Sequence, residues 1–337
     1  MEGHVVSNAV VLLLLAVAAW VLRRVGRSEL WREAGRELLR RRPLALAVLG
    51  AFTLLALLDS VAWRSPAEGA GYRPPRSLVD RIFPEDFDEA SYSAPLADVE
   101  FYGGAALRHP GRHWLGTDIL GRDVLHLALK GARVAMLVGG LTSLIAIPLA
   151  LFLGVAAGYR GGKVDDAVTF AISTLASIPS LLLLIVLIMV IGRGPLQVCV
   201  ALGVTSWVGL CRVVRGEALK LRELDYVQAA RALGASEGSI VRRHVVPNLM
   251  HLVVITFVLL FSSMVLSEAV LAWLGLGLDG SWGQMIDQAR DELARDPILW
   301  WNLAAASSFL FALILAVNLI GDAVRDVLDP RTLREGP

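Results

Sequence analysis

The chain has 337 residues, 55% of them apolar and 19% charged, with a net charge of +1 and a mean hydropathy of +0.60. Soluble domains carry about 25% charged residues, so the composition points to a membrane protein, and the balanced charge gives no basis for a nucleic-acid partner. Two cysteines, Cys199 and Cys211, lie in or beside one apolar run; they exclude a disulfide framework and show no zinc-site spacing, so both are read as small apolar fillers.

An apolar run of about 18 residues or more can cross the hydrocarbon layer as a helix. Such runs fall at Val5–Leu22, Leu44–Trp63, Val134–Gly158, Ala167–Ile191, Val198–Val214, Leu249–Leu274 and Leu299–Ile320. They predict an all-α polytopic membrane protein of about seven transmembrane helices. The positive charges Arg23, Arg24 and Arg27 follow the first run and do not precede it, and no small-residue cleavage site ends it. It is therefore read as a retained span, not a signal peptide. Residues 1–43 form a leading unit of that span and a basic linker, "RRVGRSELWREAGRELLRRR". Leu30, Ala34, Glu37, Leu38 and Arg41 recur there at helical spacing. Two readings stand: an amphipathic helix on an anionic leaflet, or a plain positive tether.

Residues 44–130 hold the second span and a segment rich in Pro, Asp, Glu and Tyr, too polar for lipid and too short for a core of its own. Asp59, near the span end, is expected to reach the interface. Within "GTDILGRD", Thr117 or Asp118 is expected to cap a helix beginning near Gly121. His109, His113 and Asp118 lie in a Gly/Pro-rich loop with no further ligand pattern, so a structural loop is favoured over a metal site.

Residues 131–330 form the dense core, with five spans. Small residues such as Gly154 and Gly158, and the stretches "ISTLAS" and "GVTSWVG", suit close helix packing in lipid. Pro148 and Pro179 free backbone carbonyls inside the runs. "GYRGGKVDD" is not a phosphate loop, because the positions that need Gly and Ser or Thr are Ala157 and Val164. Energy must then come from a partner. Glu268 lies inside an apolar run, where a lipid-facing carboxylate is costly. It is expected either to line a path or to pair with a polar group nearby. Lys and Arg number twenty in the short loops on one side of the spans and three on the other. That asymmetry puts the N-terminus outside and the C-terminus in the cytoplasm.

The polar stretch "DYVQAARALGASEGSIVRRHVVPN" lies between two spans on the basic side, within residues 217–248. Asp225 is expected to cap a short helix, with Gln228 reaching back as in a capping box. Tyr226, Ala229, Ala230 and Leu233 share a face, flattened by the alanines. Gly234 is placed to end the helix in the left-handed conformation. Ser236, after Ala235, suits the cap of a second helix, and Pro247 is expected to close it. No arrangement of nucleophile, base or paired carboxylates supports an enzyme, and no cofactor is implied.

Ala229, Ala230, Gly234, Ile240 and Pro247 resemble the EAA loop of permease subunits in ABC importers of the type I (MetI-like) fold. Gln228 departs from that pattern, which has Glu there. "HWLGTDILGRDVLHLALKGARVAMLVG", with Gly116, Thr117, Asp118, Gly121, Arg122 and Asp123, resembles the C-type subunit of the oligopeptide/dipeptide and nickel transport family. So do "SIPSLLLLIVL", "EAVLAWLGLGLDGSWGQMI" and "GDAVRDVLDPR". The first span has no counterpart in the usual six-span pattern. The resemblance implies a five-helix MetI-like core behind two N-terminal spans, in a multi-pass inner-membrane protein. It implies a homologous permease partner, two ATPase subunits, an extracytoplasmic binding protein and peptide cargo. It also implies that the hinged loop couples the chain to the ATPases. Nickel or another small solute is the alternative cargo; a membrane scaffold or sensor that recruits a cytoplasmic partner is a different class.

Overall fold

The computed structural model describes residues 29–63, 75–83 and 89–328; the run Val5–Leu22 lies outside the described residues. Helix α1 (Glu29–Arg41) stops where Pro43 forces Arg42 out of helical geometry, to φ −134 and ψ 50. Pro43 then opens α2 (Pro43–Ser60), since the first helical position needs no N–H. Strands β1 (Ala62–Trp63) and β2 (Arg76–Ser77) pair antiparallel behind it.

Helix α3 (Val124–Val155) runs into a π-helical turn, Ala156–Arg160, giving a continuous element of 37 residues. At about 1.5 Å per residue that is roughly 55 Å, well beyond the hydrocarbon thickness. The hydropathy run began only at Val134 because His126, Lys130 and Arg133 interrupt it, yet these residues are helical. Pro148 is accommodated inside α3.

The run Ala167–Ile191, expected as one span, is two helices. α4 (Gly162–Ala176) and α5 (Ser180–Ile191) meet at 91°. Pro179 has no N–H and restricts Ile178, so the helical ladder breaks there. Helix α6 (Pro195–Arg222) follows, then α7 (Asp225–Ala232) and the single turn α8 (Glu237–Ile240). A second π turn, Val241–Val245, leads into α9 (Val246–Trp273). Helices α10 (Trp282–Leu293) and α11 (Trp301–Leu328) complete the order. Among the described residues, 5 helices are long and apolar enough to cross a membrane, or 6 if the bent pair counts as one span. The described residues are thus mostly helical, with several helices fit to cross a membrane.

The described residues divide into two compact units, one drawn from residues 29–137 and 266–323, the other from residues 138–265 and 324–328. In the first, Phe52 meets Trp282 edge-on at 5.6 Å and Phe309 at 6.1 Å. The Trp282 indole N–H donates to the Ala128 carbonyl at 2.7 Å, so a buried aromatic has its polar atom satisfied. In the second, Ile147, Trp207, Val214, Val227, Ile240 and Leu249 belong to one apolar cluster. A Cβ on Gly158 would lie 2.4 Å from the Arg215 carbonyl oxygen, so the small residue lets α6 pack at backbone distance.

Candidate functional site

The hinged loop spans α7, α8 and the π turn, all in the second unit. Gly234 takes φ +83, a conformation that costs glycine little. Its N–H donates to the Arg231 carbonyl at 3.0 Å, and the Ala235 N–H to the Ala230 carbonyl at 3.1 Å. These are the two bonds of a Schellman ending, so the glycine does what its position predicted.

Three local expectations differ from the structure. Leu224, extended at ψ 142, is the N-cap of α7. Asp225 falls inside the first turn, where its carboxylate still suits the helix N-terminus. Gln228 makes no capping box; its amide donates to the Arg222 carbonyl at 3.0 Å, which satisfies an open acceptor at the end of α6. Ser236 does occupy the N-cap of α8, at ψ 146, but without a side-chain bond; its carbonyl accepts from the Ser239 and Ile240 N–H groups. Pro247 does not close the second helix. The π turn ends with the Val246 N–H on the Val241 carbonyl, and this wider turn just ahead of Pro247 lets the helix run on into α9.

The loop is anchored from beneath. Val227, Ile240, Val245 and Leu249 are fully buried, and Ala230 packs partly against the same cluster. Ala230 is therefore not on the open face with Ala229. That face is Tyr226, Ala229 and Leu233, with Leu233 88% exposed. Tyr226 lies 6.0 Å from the His244 ring, and its hydroxyl accepts from the Asn248 amide at 3.2 Å.

A polar cluster that sequence reading missed joins the two halves of the loop. Arg231 of α7 donates to Glu237 of α8 at 3.0 Å and to the Tyr159 hydroxyl at 3.1 Å. The Tyr159 hydroxyl in turn donates to Glu237, and Gln228 Oε1 accepts from Arg231 at 3.2 Å. Tyr159 is separated from Arg231 and Glu237 by more than seventy residues in sequence, so periodicity carries no signal for its part in the cluster.

The signature loop lies in the first unit and is a buried knot. Thr117 and Asp118 are fully buried. Thr117 Oγ accepts from the Ser93 N–H and donates to the Ala90 carbonyl, each at 2.8 Å. Asp118 accepts from the Leu120 and Arg122 N–H groups and pairs with the Arg122 guanidinium through two bonds. Neither caps α3. Asp123 does, accepting from the His126 N–H at 2.9 Å, while its other oxygen meets His113 Nδ1 at 2.9 Å. The helix accordingly starts at Val124, not near Gly121. Gly121 has φ +77, and a Cβ there would fall 2.0 Å from the Glu89 carbonyl oxygen. Gly116 lies against the Ser93 carbonyl and the Trp301 ring.

Asp59, in the last turn of α2, is 2% exposed, accepts from Ser77 Oγ at 2.7 Å, and faces Lys130 and Arg133. Neighbouring Asp80 accepts from Lys130 at 2.6 Å and meets His126 at 2.9 Å. Burial alone would raise the Asp80 carboxyl, but the bonds to His126, Lys130 and the Ser77 N–H hold it well below the usual carboxylate range. Glu268 is 5% exposed and accepts from the Leu278 N–H at 3.1 Å. Its carboxyl thus fastens the segment that follows α9 back onto that helix.

A many-pass helical protein with a hinged loop that is buried at its base and exposed on its other face is the class these features define. Residues 147–334 match the family described as "Binding-protein-dependent transport system inner membrane component", and the chain belongs to that family. It is 33% identical over 309 residues to the oligopeptide transport system permease protein OppC of Escherichia coli K12, covering 91% of this chain and 92% of that one. It is 36% identical over 225 residues to the dipeptide permease DppC of Bacillus subtilis, covering 66% and 70%. It is 30% identical over 305 residues to the glutathione permease GsiD of Pectobacterium atrosepticum, covering 89% and 91%. Among solved structures, an inward-facing MetNI methionine transporter chain aligns with a TM-score of 0.47 and 21% identity, covering 59% of this chain and 96% of that one. The chain is a multi-pass inner-membrane permease subunit of an ABC importer.

Proposed function

We propose that this subunit forms half of a translocation path for di- or oligopeptides, beside a homologous permease subunit. Two partner ATPase subunits hydrolyse ATP, and an extracytoplasmic binding protein delivers the cargo. The hinged loop docks into a groove on an ATPase subunit and passes the ATPase movement to the spans. The observation that carries this reading is the loop itself. Its base is fixed in an apolar core, while its outer face presents Tyr226, Ala229 and Leu233 to the surroundings. An exposed leucine beside an alanine-flattened face fits a close apolar groove. The peptide cargo rests on the likeness to OppC, DppC and GsiD.

Co-purification tests the docking. Ala229→Glu places an unpaired charge in the groove without touching the buried base. The variant is expected to insert and to pair with its sister subunit, but to lose the ATPase subunits on isolation. Retention of the ATPases at the wild-type ratio would remove the loop from the interface.

A further inference from the structure

We propose that Tyr159, Arg231 and Glu237 form a latch that fixes the hinged loop to the end of the α3 element, with Tyr159 as the positioning residue that makes loop and helix move as one. The inference rests on the reading that the loop docks the ATPase subunits, and it names what keeps that loop in register.

The loop needs such a device. α7 has 8 residues and α8 has 4, both below the length at which an isolated helix holds in water. Their apolar anchors, Val227 and Ile240, are buried beneath the loop. Apolar contact is non-directional, so anchors at the base leave the two short helices free to rock about them. The latch supplies direction at another point. It draws one group from each of three elements: Tyr159 from the π turn that ends α3, Arg231 from α7 and Glu237 from α8. The Tyr159 hydroxyl is used in both senses, donating to Glu237 and accepting from Arg231 at 3.1 Å. Arg231 also bonds Glu237 directly at 3.0 Å, and its guanidinium lies 5.8 Å from the Tyr159 ring centre. Tyr159 is buried, so the hydroxyl is held at a fixed point of the unit's core.

The charged partners are open to solvent, with side-chain exposures of 37% for Arg231 and 59% for Glu237. An exposed pair adds little to stability. Removing the hydroxyl therefore leaves two groups that water can satisfy, and the fold survives. What is lost is the register between loop and helix.

The test uses the full complex, with the sister permease and the ATPase subunits. Nitroxide labels are placed through Lys163→Cys and Ala235→Cys, both exposed positions, while Cys199 and Cys211 are buried. Distances are read by pulsed electron resonance without nucleotide and after trapping with ATP and vanadate, alongside the rate of ATP hydrolysis. The wild-type latch should give one narrow distance in both states. Tyr159→Phe should broaden it and lower hydrolysis by about 2- to 30-fold, the range for residues that carry coupling, with the ATPases still co-purifying. Glu237→Gln, which keeps an acceptor, should fall between the two. A narrow distance with wild-type hydrolysis in Tyr159→Phe overturns the latch. So does a broadened distance with unchanged hydrolysis, or a loss of hydrolysis at an unchanged distance. Ala229→Glu separates this from the docking reading: if that variant keeps the ATPases, docking itself fails. If it loses them while Tyr159→Phe behaves as wild type, only the latch falls.

Discussion

Glu292 is buried at 2% exposure in the first unit, where its Oε1 accepts from the Asn302 amide at 3.2 Å. Glu292 Oε2 and Asn302 Oδ1 are both buried without a hydrogen-bond partner among the described residues. A buried carboxylate with one oxygen unpartnered is costly, and a proton on the carboxyl removes its charge. Burial raises the Glu292 carboxyl above its ordinary value; the Asn302 bond and Arg295 oppose this, and Asp118 adds to it. A carboxyl raised in the folded state stabilises the fold fully below the ordinary glutamate value of 4.5 and loses that contribution as pH rises through the raised value. Glu292→Gln mimics the protonated acid. Its melting temperature should be at least that of the wild type at pH 7, with a flatter pH dependence above pH 4.5. An unchanged pH slope would show that this carboxyl does not titrate in the folded protein.

At the scale of elements, the return segment after α9 hangs on Glu268, which receives the Leu278 N–H. Glu268→Ala leaves the buried Leu278 N–H unpaired, at about 1–3 kcal/mol. The yield of folded protein should drop, while Glu268→Gln, which keeps one acceptor oxygen, should stay close to wild type. Equal yields for both variants would mean that the carboxyl carries no structural duty. The elements themselves were largely legible in the sequence. The apolar runs locate α2, α3, α6, α9 and α11, and Gly234 marks the end of α7, because hydropathy and left-handed backbone are local properties. The misses have local causes as well. Pro179 breaks a run that looks continuous to a hydropathy window. Pro247 looks like a stop but sits behind a π turn that no periodicity announces. Asp123, not Thr117 or Asp118, caps α3, since three polar residues within seven positions compete for that role and only tertiary contacts decide among them. The latch and the Asp59–Asp80 charge cluster join residues far apart in the chain, and no spacing rule reaches them.

At the scale of the whole molecule, the hinged loop and the basic asymmetry belong to one scheme. Loops rich in Lys and Arg stay on the cytoplasmic side, and the loop must be there to meet an ATPase. We propose that the run Val5–Leu22 crosses as well, with the N-terminus outside. An alkaline phosphatase fused to Met1 should be active, and a fluorescent protein that matures only in the cytoplasm should be dark at the same position; the reverse pattern would mean that the first run does not cross. The most direct test of coupling is ATP hydrolysis by the reconstituted complex with and without its binding protein, in wild type and Gly234→Val. At φ +83 a β-branched residue costs roughly 1–2 kcal/mol and unseats the Schellman ending that sets the angle between α7 and α8. Gln228→Glu serves as the control, since it trades one bond to the Arg222 carbonyl for a carboxylate on Arg231 and should alter little. The expected result is an inserted, paired Gly234→Val permease with no stimulation by the binding protein and near-normal stimulation for Gln228→Glu. Full stimulation in Gly234→Val would contradict the assignment of this loop as the coupling element.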